Sequence, residues 1–212
     1  MRPSRVVVES VGDTNPETRG FTSGKELDLP EKQKHRDLIA LGPSQGSWRI
    51  KNPILGATVY KYELSDSDLR AALDGGWQIT LKTNLLELTS PDGCIYADFD
   101  TGNRRYDLNI VPAFPNQTYN KKLLVRLNRQ VIREGSAAGS IPANELIDGS
   151  RPHKYALRYQ PATSYATLFV DDQMILAEKY EGHTDFVTGQ RLLFGVSGAE
   201  ATFTLVKFEV FP

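Results

Sequence analysis

The sequence predicts an all-β protein built as a two-sheet antiparallel sandwich with one short connecting helix. Three observations carry this reading. Short segments of alternating apolar and polar residues recur along the chain, Gly, Pro, Asn and Asp clusters separate them about every 8 to 12 residues, and only one stretch has a convincing helical pattern. At 212 residues the chain is long for one domain. Sandwiches of this length nonetheless close around one core, so residues 1–212 are expected to form a single unit.

The first strands expected are Val6 to Val11, Trp48 to Asn52, Thr58 to Leu64, Trp77 to Leu88 and Gly93 to Thr101. Arg104 to Val111, Lys121 to Val131, His153 to Gln160 and Tyr165 to Asp171 follow, and Gln173 to Tyr180, Arg191 to Val196 and Ala201 to Phe211 complete the series. The helix begins at Ser65, whose hydroxyl can cap the first turn, with Asp68 placed for a capping box. Leu69, Ala71, Ala72 and Leu73 form its apolar stripe, and Gly75 with Gly76 ends it. Lys25 to Gly46 and Gly135 to Gly149 read as long surface loops. No fixed-period repeat is present, which removes solenoids and propellers.

Charge narrows the partners. With 25 basic and 26 acidic residues the formal net charge is −1, so the basic footprint of a nucleic-acid or anionic-membrane binder is missing. Apolar runs such as Val6 to Val8 fall far short of the roughly 20 residues a membrane helix needs. Neither nucleic acid nor membrane is expected as a partner. Oligomeric state stays open. The lone Cys94 precludes an internal disulfide and a cysteine-rich metal site. The N-terminus leads into no signal-like apolar stretch, so compartment is undetermined, with extracellular and periplasmic locations open.

The sharpest inference comes from residues 94–110. Two alternating runs flank Gly102-Asn103, a dipeptide suited to a two-residue primed turn. Counting outward pairs Thr101 with Arg104, Asp100 with Arg105, Phe99 with Tyr106, Asp98 with Asp107, Ala97 with Leu108, Tyr96 with Asn109 and Ile95 with Ile110. Ile95, Ala97, Phe99, Tyr106, Leu108 and Ile110 then share one face, and Tyr96, Asp98, Asp100, Arg105, Asp107 and Asn109 share the other. Lys121 to Val131 sorts likewise, with Leu123, Val125 and Leu127 inward and Lys122, Arg126 and Asn128 outward. If that strand neighbours the hairpin, an outer patch of Tyr, Asp, Arg and Asn results. Such groups pair with vicinal hydroxyls, and an aromatic ring receives sugar C–H bonds. The candidate ligand-binding residues are therefore Tyr96, Asp98, Arg105, Asp107, Asn109, Arg126 and Asn128.

Asp98 directly opposite Asp107 is ordinarily destabilising, so Arg105, Arg126, a bound cation or a shared proton should compensate. Carboxylates held by arginines on an ordinary sheet face, a ligand-binding role and general acid/base chemistry are the three readings open. Retaining glycosidases hold two carboxyls about 5 Å apart.

Segment 15–21 (Asn-Pro-Glu-Thr-Arg-Gly-Phe) resembles an opening segment, and 46–50 (Gly-Ser-Trp-Arg-Ile), 76–80 (Gly-Trp-Gln-Ile-Thr), 102–108 (Gly-Asn-Arg-Arg-Tyr-Asp-Leu) and 153–159 (His-Lys-Tyr-Ala-Leu-Arg-Tyr) resemble strands, of the concanavalin A-like lectin/glucanase superfamily, and particularly its laminin G-like domains. The clearest likeness is 166–172 (Ala-Thr-Leu-Phe-Val-Asp-Asp), a hairpin signature, followed by a closing strand from Phe203 to Phe211. The resemblance implies a concanavalin A-like jelly-roll sandwich. By association it implies a non-catalytic carbohydrate-binding module, accessory to a glycan-degrading enzyme such as a sialidase. A jelly-roll glycoside hydrolase or polysaccharide lyase, and a laminin G-like protein-interaction domain, are the alternatives.

Departures from the family bear on activity. The Glu-x-Asp-x-x-Glu strand motif of laminarinase-type glucanases does not occur, and the metal-binding pattern of legume lectins has only a slight echo in Asp98-Phe-Asp100-Thr-Gly-Asn103, whose Asn falls in the turn. No catalytic residue and no metal ligand is assigned, and no cofactor is expected, with calcium the one ion left open. His35, His153 and His183 lack metal-ligand spacing, and no Gly-x-Ser-x-Gly elbow occurs. Trp48 and Trp77 are expected in the core. Tyr119, Tyr180 and His183 remain unranked binding-loop candidates.

Overall fold

The computed structural model describes residues 5–10, 26–28, 34–35, 38–42, 48–51, 57–90, 93–113, 121–127, 146–185, 187 and 189–211. In chain order the strands are β1 (Arg5–Ser10), β2 (Glu26–Asp28), β3 (Lys34–His35), β4 (Leu38–Gly42), β5 (Trp48–Lys51), β6 (Ala57–Glu63), β7 (Trp77–Leu88) and β8 (Cys94–Thr101). They continue with β9 (Arg105–Pro112), β10 (Lys122–Arg126), β11 (Ile147–Asp148), β12 (His153–Gln160), β13 (Tyr165–Val170), β14 (Gln173–Lys179), β15 (Gln190–Ser197) and β16 (Ala199–Val210). A helix, α1 (Asp66–Gly75), joins β6 to β7.

The strands form two antiparallel sheets. One runs β11-β10-β9-β8-β15-β6-β1-β2, and the other runs β14-β13-β12-β7-β16-β4-β3 with β5 alongside β16. This is the jelly-roll sandwich expected from the sequence. No helix among the described residues is long and apolar enough to cross a membrane.

Alternation along each strand delivers the core. Ile95, Ala97, Phe99, Tyr106, Leu108 and Ile110 from the first sheet meet Trp77, Ile79, Leu81, Leu157, Phe203 and Phe208 from the second in one continuous cluster. Trp77 sits at its centre. Phe99 and Tyr106 approach it edge-on at 4.9 and 5.4 Å between centroids, and Tyr159 and Phe208 stack on it at 5.7 and 5.9 Å. The expectation of a core Trp77 holds, while the Trp48 side chain lies outside the described residues.

The helix starts where its cap dictates. The Ser65 hydroxyl accepts the Asp68 amide at 3.2 Å and donates to the Asp68 carboxylate at 2.7 Å, and Gly76, at φ 110°, closes the other end. Of the expected stripe, Leu69 and Ala72 are buried, whereas Ala71 and Leu73 face out.

The loop expected over Lys25 to Gly46 needs correction. It contains β2, β3 and β4, and β4 pairs Leu38, Ile39 and Ala40 with Glu209, Phe208 and Lys207. The apolar run Leu38-Ile-Ala-Leu41 gives this otherwise polar stretch a strand that lies between β16 and the two-residue edge strand β3. Likewise Gly135 to Gly149 ends in β11, and its earlier part lies outside the described residues.

Trp77→Ala should lower unfolding free energy by about 3–5 kcal/mol, as for large aromatic truncations in packed cores. Urea denaturation reads this directly, and a change under about 1 kcal/mol would contradict the central place given to the ring.

Candidate functional site

The β8–β9 hairpin adopts the register counted from its turn. Asp100 pairs with Arg105, Phe99 with Tyr106, Asp98 with Asp107, Ala97 with Leu108, Tyr96 with Asn109 and Ile95 with Ile110. Gly102 takes φ 90°, as a two-residue primed turn with glycine first requires. The Thr101 hydroxyl accepts the Arg104 amide at 3.0 Å and fastens the turn. β10 lies beside β9 as expected, with Arg126 opposite Asn109 and Leu124 opposite Val111. On its other side β8 receives β15, which sets Arg191 opposite Asp100 and Leu193 opposite Asp98.

The row so formed is not an exterior surface. Tyr96 and Asp98 are 5% exposed, Arg105 6%, Asp107 1% and Asn109 0%. Arg126 is half-buried, its guanidinium donating to the Val125 carbonyl at 3.2 Å, and Asn128 lies outside the described residues. Beyond the polar groups the same face is apolar: Cys94, Tyr96, Val111, Ala113, Leu124 and Leu193 form a second buried cluster, with Leu146 packed on it. Cys94 is buried.

Buried carboxylates require partners, and the register supplies them. Arg105 binds Asp100 in bidentate fashion, Nε to Oδ1 at 2.8 Å and Nη2 to Oδ2 at 2.7 Å, while its Nη1 lies 3.4 Å from Asp98 Oδ2. Burial opposes the Arg105 charge, yet the hydrogen bonds to Asp100 and the attraction of Asp98, Asp100 and Asp107 outweigh it and hold the guanidinium firmly protonated. Arg191 adds its Nε 3.5 Å from Asp100 Oδ2. Arg126, the other compensating candidate, donates to backbone instead.

Asp107 is held by its strand neighbour Asn109 and by two residues from a distant segment. The Tyr180 hydroxyl donates to its Oδ1 at 2.8 Å, Asn109 Nδ2 donates to Oδ2 at 3.1 Å, and His183 Nε2 stands 3.3 Å from Oδ1, at ion-pair distance but off the hydrogen-bond line. Burial and then the Asp107 carboxylate push the Tyr180 phenol far above the usual tyrosine range, so it remains a donor. The Asp107 carboxylate raises the His183 pKa above the usual histidine value against the opposing effect of burial. Among the described residues, Arg105 and Arg191 stand beside Asp100, Arg105 also nears Asp98, and His183 stands beside Asp107. Asn109 Oδ1, fully buried, meets no hydrogen-bond donor among the described residues.

Tyr180 and His183, unranked in the sequence, are thus brought to the row. Asp100 and Arg191 were not singled out as site residues. Asp100 could have been found from its parity with Asp98; Arg191 could not, because β15 enters the sheet from far along the chain. His153 is committed elsewhere, Nδ1 lying 2.7 Å from Asp171 Oδ2 and Nε2 2.8 Å from the Asp148 carbonyl. Among the described residues no group of three or more His, Cys, Asp or Glu is arranged to hold a metal ion.

No protein-family model matches the sequence, and no curated relative matches it either. Among solved structures, the receptor binding domain of botulinum neurotoxin D is similar over 99% of this chain and 49% of its own, at a TM-score of 0.50 and 9% identity. This chain therefore spans about half the length of that toxin domain. The metal-free carbohydrate recognition domain of Emp46p (TM-score 0.48, 13% identity, 85% of this chain and 94% of that one) and the β-glucanase of Bacillus licheniformis (TM-score 0.46, 9% identity, 77% of each) are weaker likenesses. At 9% identity the toxin likeness is one of fold, and fold alone assigns neither ligand nor activity.

Asp100→Ala should cost about 3–5 kcal/mol, because it strands a buried guanidinium. Asp98→Asn should cost less, since Arg105 reaches Asp98 only at 3.4 Å. Equal losses in urea denaturation would contradict the bidentate pair as the main anchor.

Proposed function

We propose that this chain is a non-catalytic carbohydrate-binding module whose site is the polar row of β8 and β9, buried in the unliganded chain and uncovered on binding. The observation that carries the reading is Asn109: its Nδ2 is fixed by Asp107, and its fully buried Oδ1 has no donor among the described residues. A buried acceptor of this kind is costly unless a donor reaches it, and a sugar hydroxyl is such a donor. The row is also amphipathic. Its charged end at the turn gives way to Tyr96 and the apolar cluster around Leu124 and Leu193, matching a pyranose with its hydroxyl rim and C–H face.

The same geometry favours recognition over hydrolysis. Arg105 is shared between Asp98 and Asp100, and Asp107 is tied to Tyr180, Asn109 and His183. A nucleophile and a general acid must meet the substrate, whereas these carboxylates meet protein donors.

A glycan array followed by titration calorimetry tests the proposal. Saturable binding to an oligosaccharide is expected, with Asn109→Ala weakening it about tenfold, the worth of one hydrogen bond. Incubation with the bound polysaccharide should release no sugar. Binding to no glycan would overturn the reading, and turnover abolished by Asp98→Asn would replace it with a hydrolase.

A further inference from the structure

We propose that the segment from Tyr180 to His183 is a proton-operated latch over the charged end of the β8–β9 row, closed while His183 is protonated and loosened when it is neutral. Its consequence for ligand access rests on the recognition reading above; the latch itself does not.

The edge of β9 explains why a latch fits here. Among the described residues β10 pairs with the far half of β9, Asn109 to Pro112, and the edge at Arg105 has another partner. His183 takes that place as an isolated bridge, Arg105 N donating to His183 O at 2.8 Å and His183 N donating to Arg105 O at 2.9 Å. A single bridge is a small attachment compared with the strand ladders around it, so side chains must secure it. Three do. Tyr180 donates to Asp107, its ring packs edge-on against Tyr106 at 5.8 Å, and His183 pairs with Asp107.

Gly182 makes the approach possible. At φ 70° it would, with a Cβ, place that atom 2.7 Å from the Arg105 carbonyl oxygen and 3.2 Å from the Tyr106 ring. The segment is therefore pressed onto the edge of β9 at the one residue that can tolerate it.

The switching group is His183. Asp107 and Arg105 face it from β9 and Asp98 from β8; Glu181 lies on its own segment. The two acids favour its charge and Arg105 opposes it, with Asp107 the largest influence. Because its pKa is raised on folding, the contribution of the charged ring is complete below the ordinary histidine value near 6.5 and is lost as pH rises through the higher folded value. Deprotonation removes the charge that faces Asp107, which among the described residues keeps the Tyr180 and Asn109 side chains as donors. Tyr180 stays protonated throughout, so it sets the strength of the latch and His183 sets its pH dependence.

The test is amide hydrogen exchange of the full chain, read as protection factors after correction for the intrinsic pH dependence of exchange. The Arg105 and His183 amides, which form the bridge, should lose about tenfold protection between about pH 6 and pH 9, while β7 and β16 amides stay unchanged as a reference for the fold. In His183→Gln the bridge amides should be pH-independent. In Tyr180→Phe they should be less protected at every pH but keep the same pH trend. Flat protection in the unaltered chain, or an unchanged trend in His183→Gln, would overturn the latch. Glycan binding is scored separately: a working latch with no glycan bound would sink the recognition reading alone.

Discussion

A two-residue turn at Gly102 and Asn103 allows β8 and β9 to meet in one register, and that register sets Asp98 against Asp107 on the same face. A slip by one residue would move Phe99, Leu108 and Ile110 out of the core, so the apolar side enforces what the polar side must endure. Much of the surrounding architecture answers this charge. Arg105 closes on Asp100 and reaches Asp98, β15 brings Arg191, and the segment after β14 returns to lay Tyr180 and His183 on Asp107.

The two outer faces of the sandwich make a telling contrast. On the sheet built around β7 and β12, Lys82 and Arg158 are exposed, and Arg158 donates to Gln78 at 3.0 Å while lying over the rings of Phe169 and Phe211. That is an ordinary solvated face, with a long side chain covering apolar surface. On the sheet built around β8 and β9 the outer face is buried from the turn to Val111, with charge at one end and an apolar cluster at the other. A sheet that hides carboxylates on both sides of a hairpin incurs desolvation that a simple scaffold has no need of, and sites of this kind are commonly functional.

The sequence was most informative where interactions are local. The hairpin register followed from Gly102-Asn103 and strict alternation, the helix from Ser65, Asp68 and the Gly75-Gly76 stop, and the full span of β7 from its periodicity. Burial of the outer face was also written there but less plainly. Leu123-Leu124 and Leu192-Leu193 are adjacent apolar pairs, which mark strands covered on both faces, whereas parity alone had assigned an exterior to that side. What could not be read was non-local: that β15 enters between β8 and β6, that Leu38 to Gly42 forms a strand paired with β16, and that His183 bridges to Arg105. These depend on which chain segments meet in space, and spacing along the chain does not encode that.

The pairing of His183 with Asp107 is the point at which the hairpin register and the Tyr180–His183 segment converge. Titration of the His183 ring by nitrogen-detected NMR, in the unaltered chain and in Asp107→Asn, tests it most directly. The midpoint should lie above that of a free histidine and fall when the carboxylate is removed; an unperturbed midpoint, identical in both proteins, would contradict the arrangement of charges described for this face.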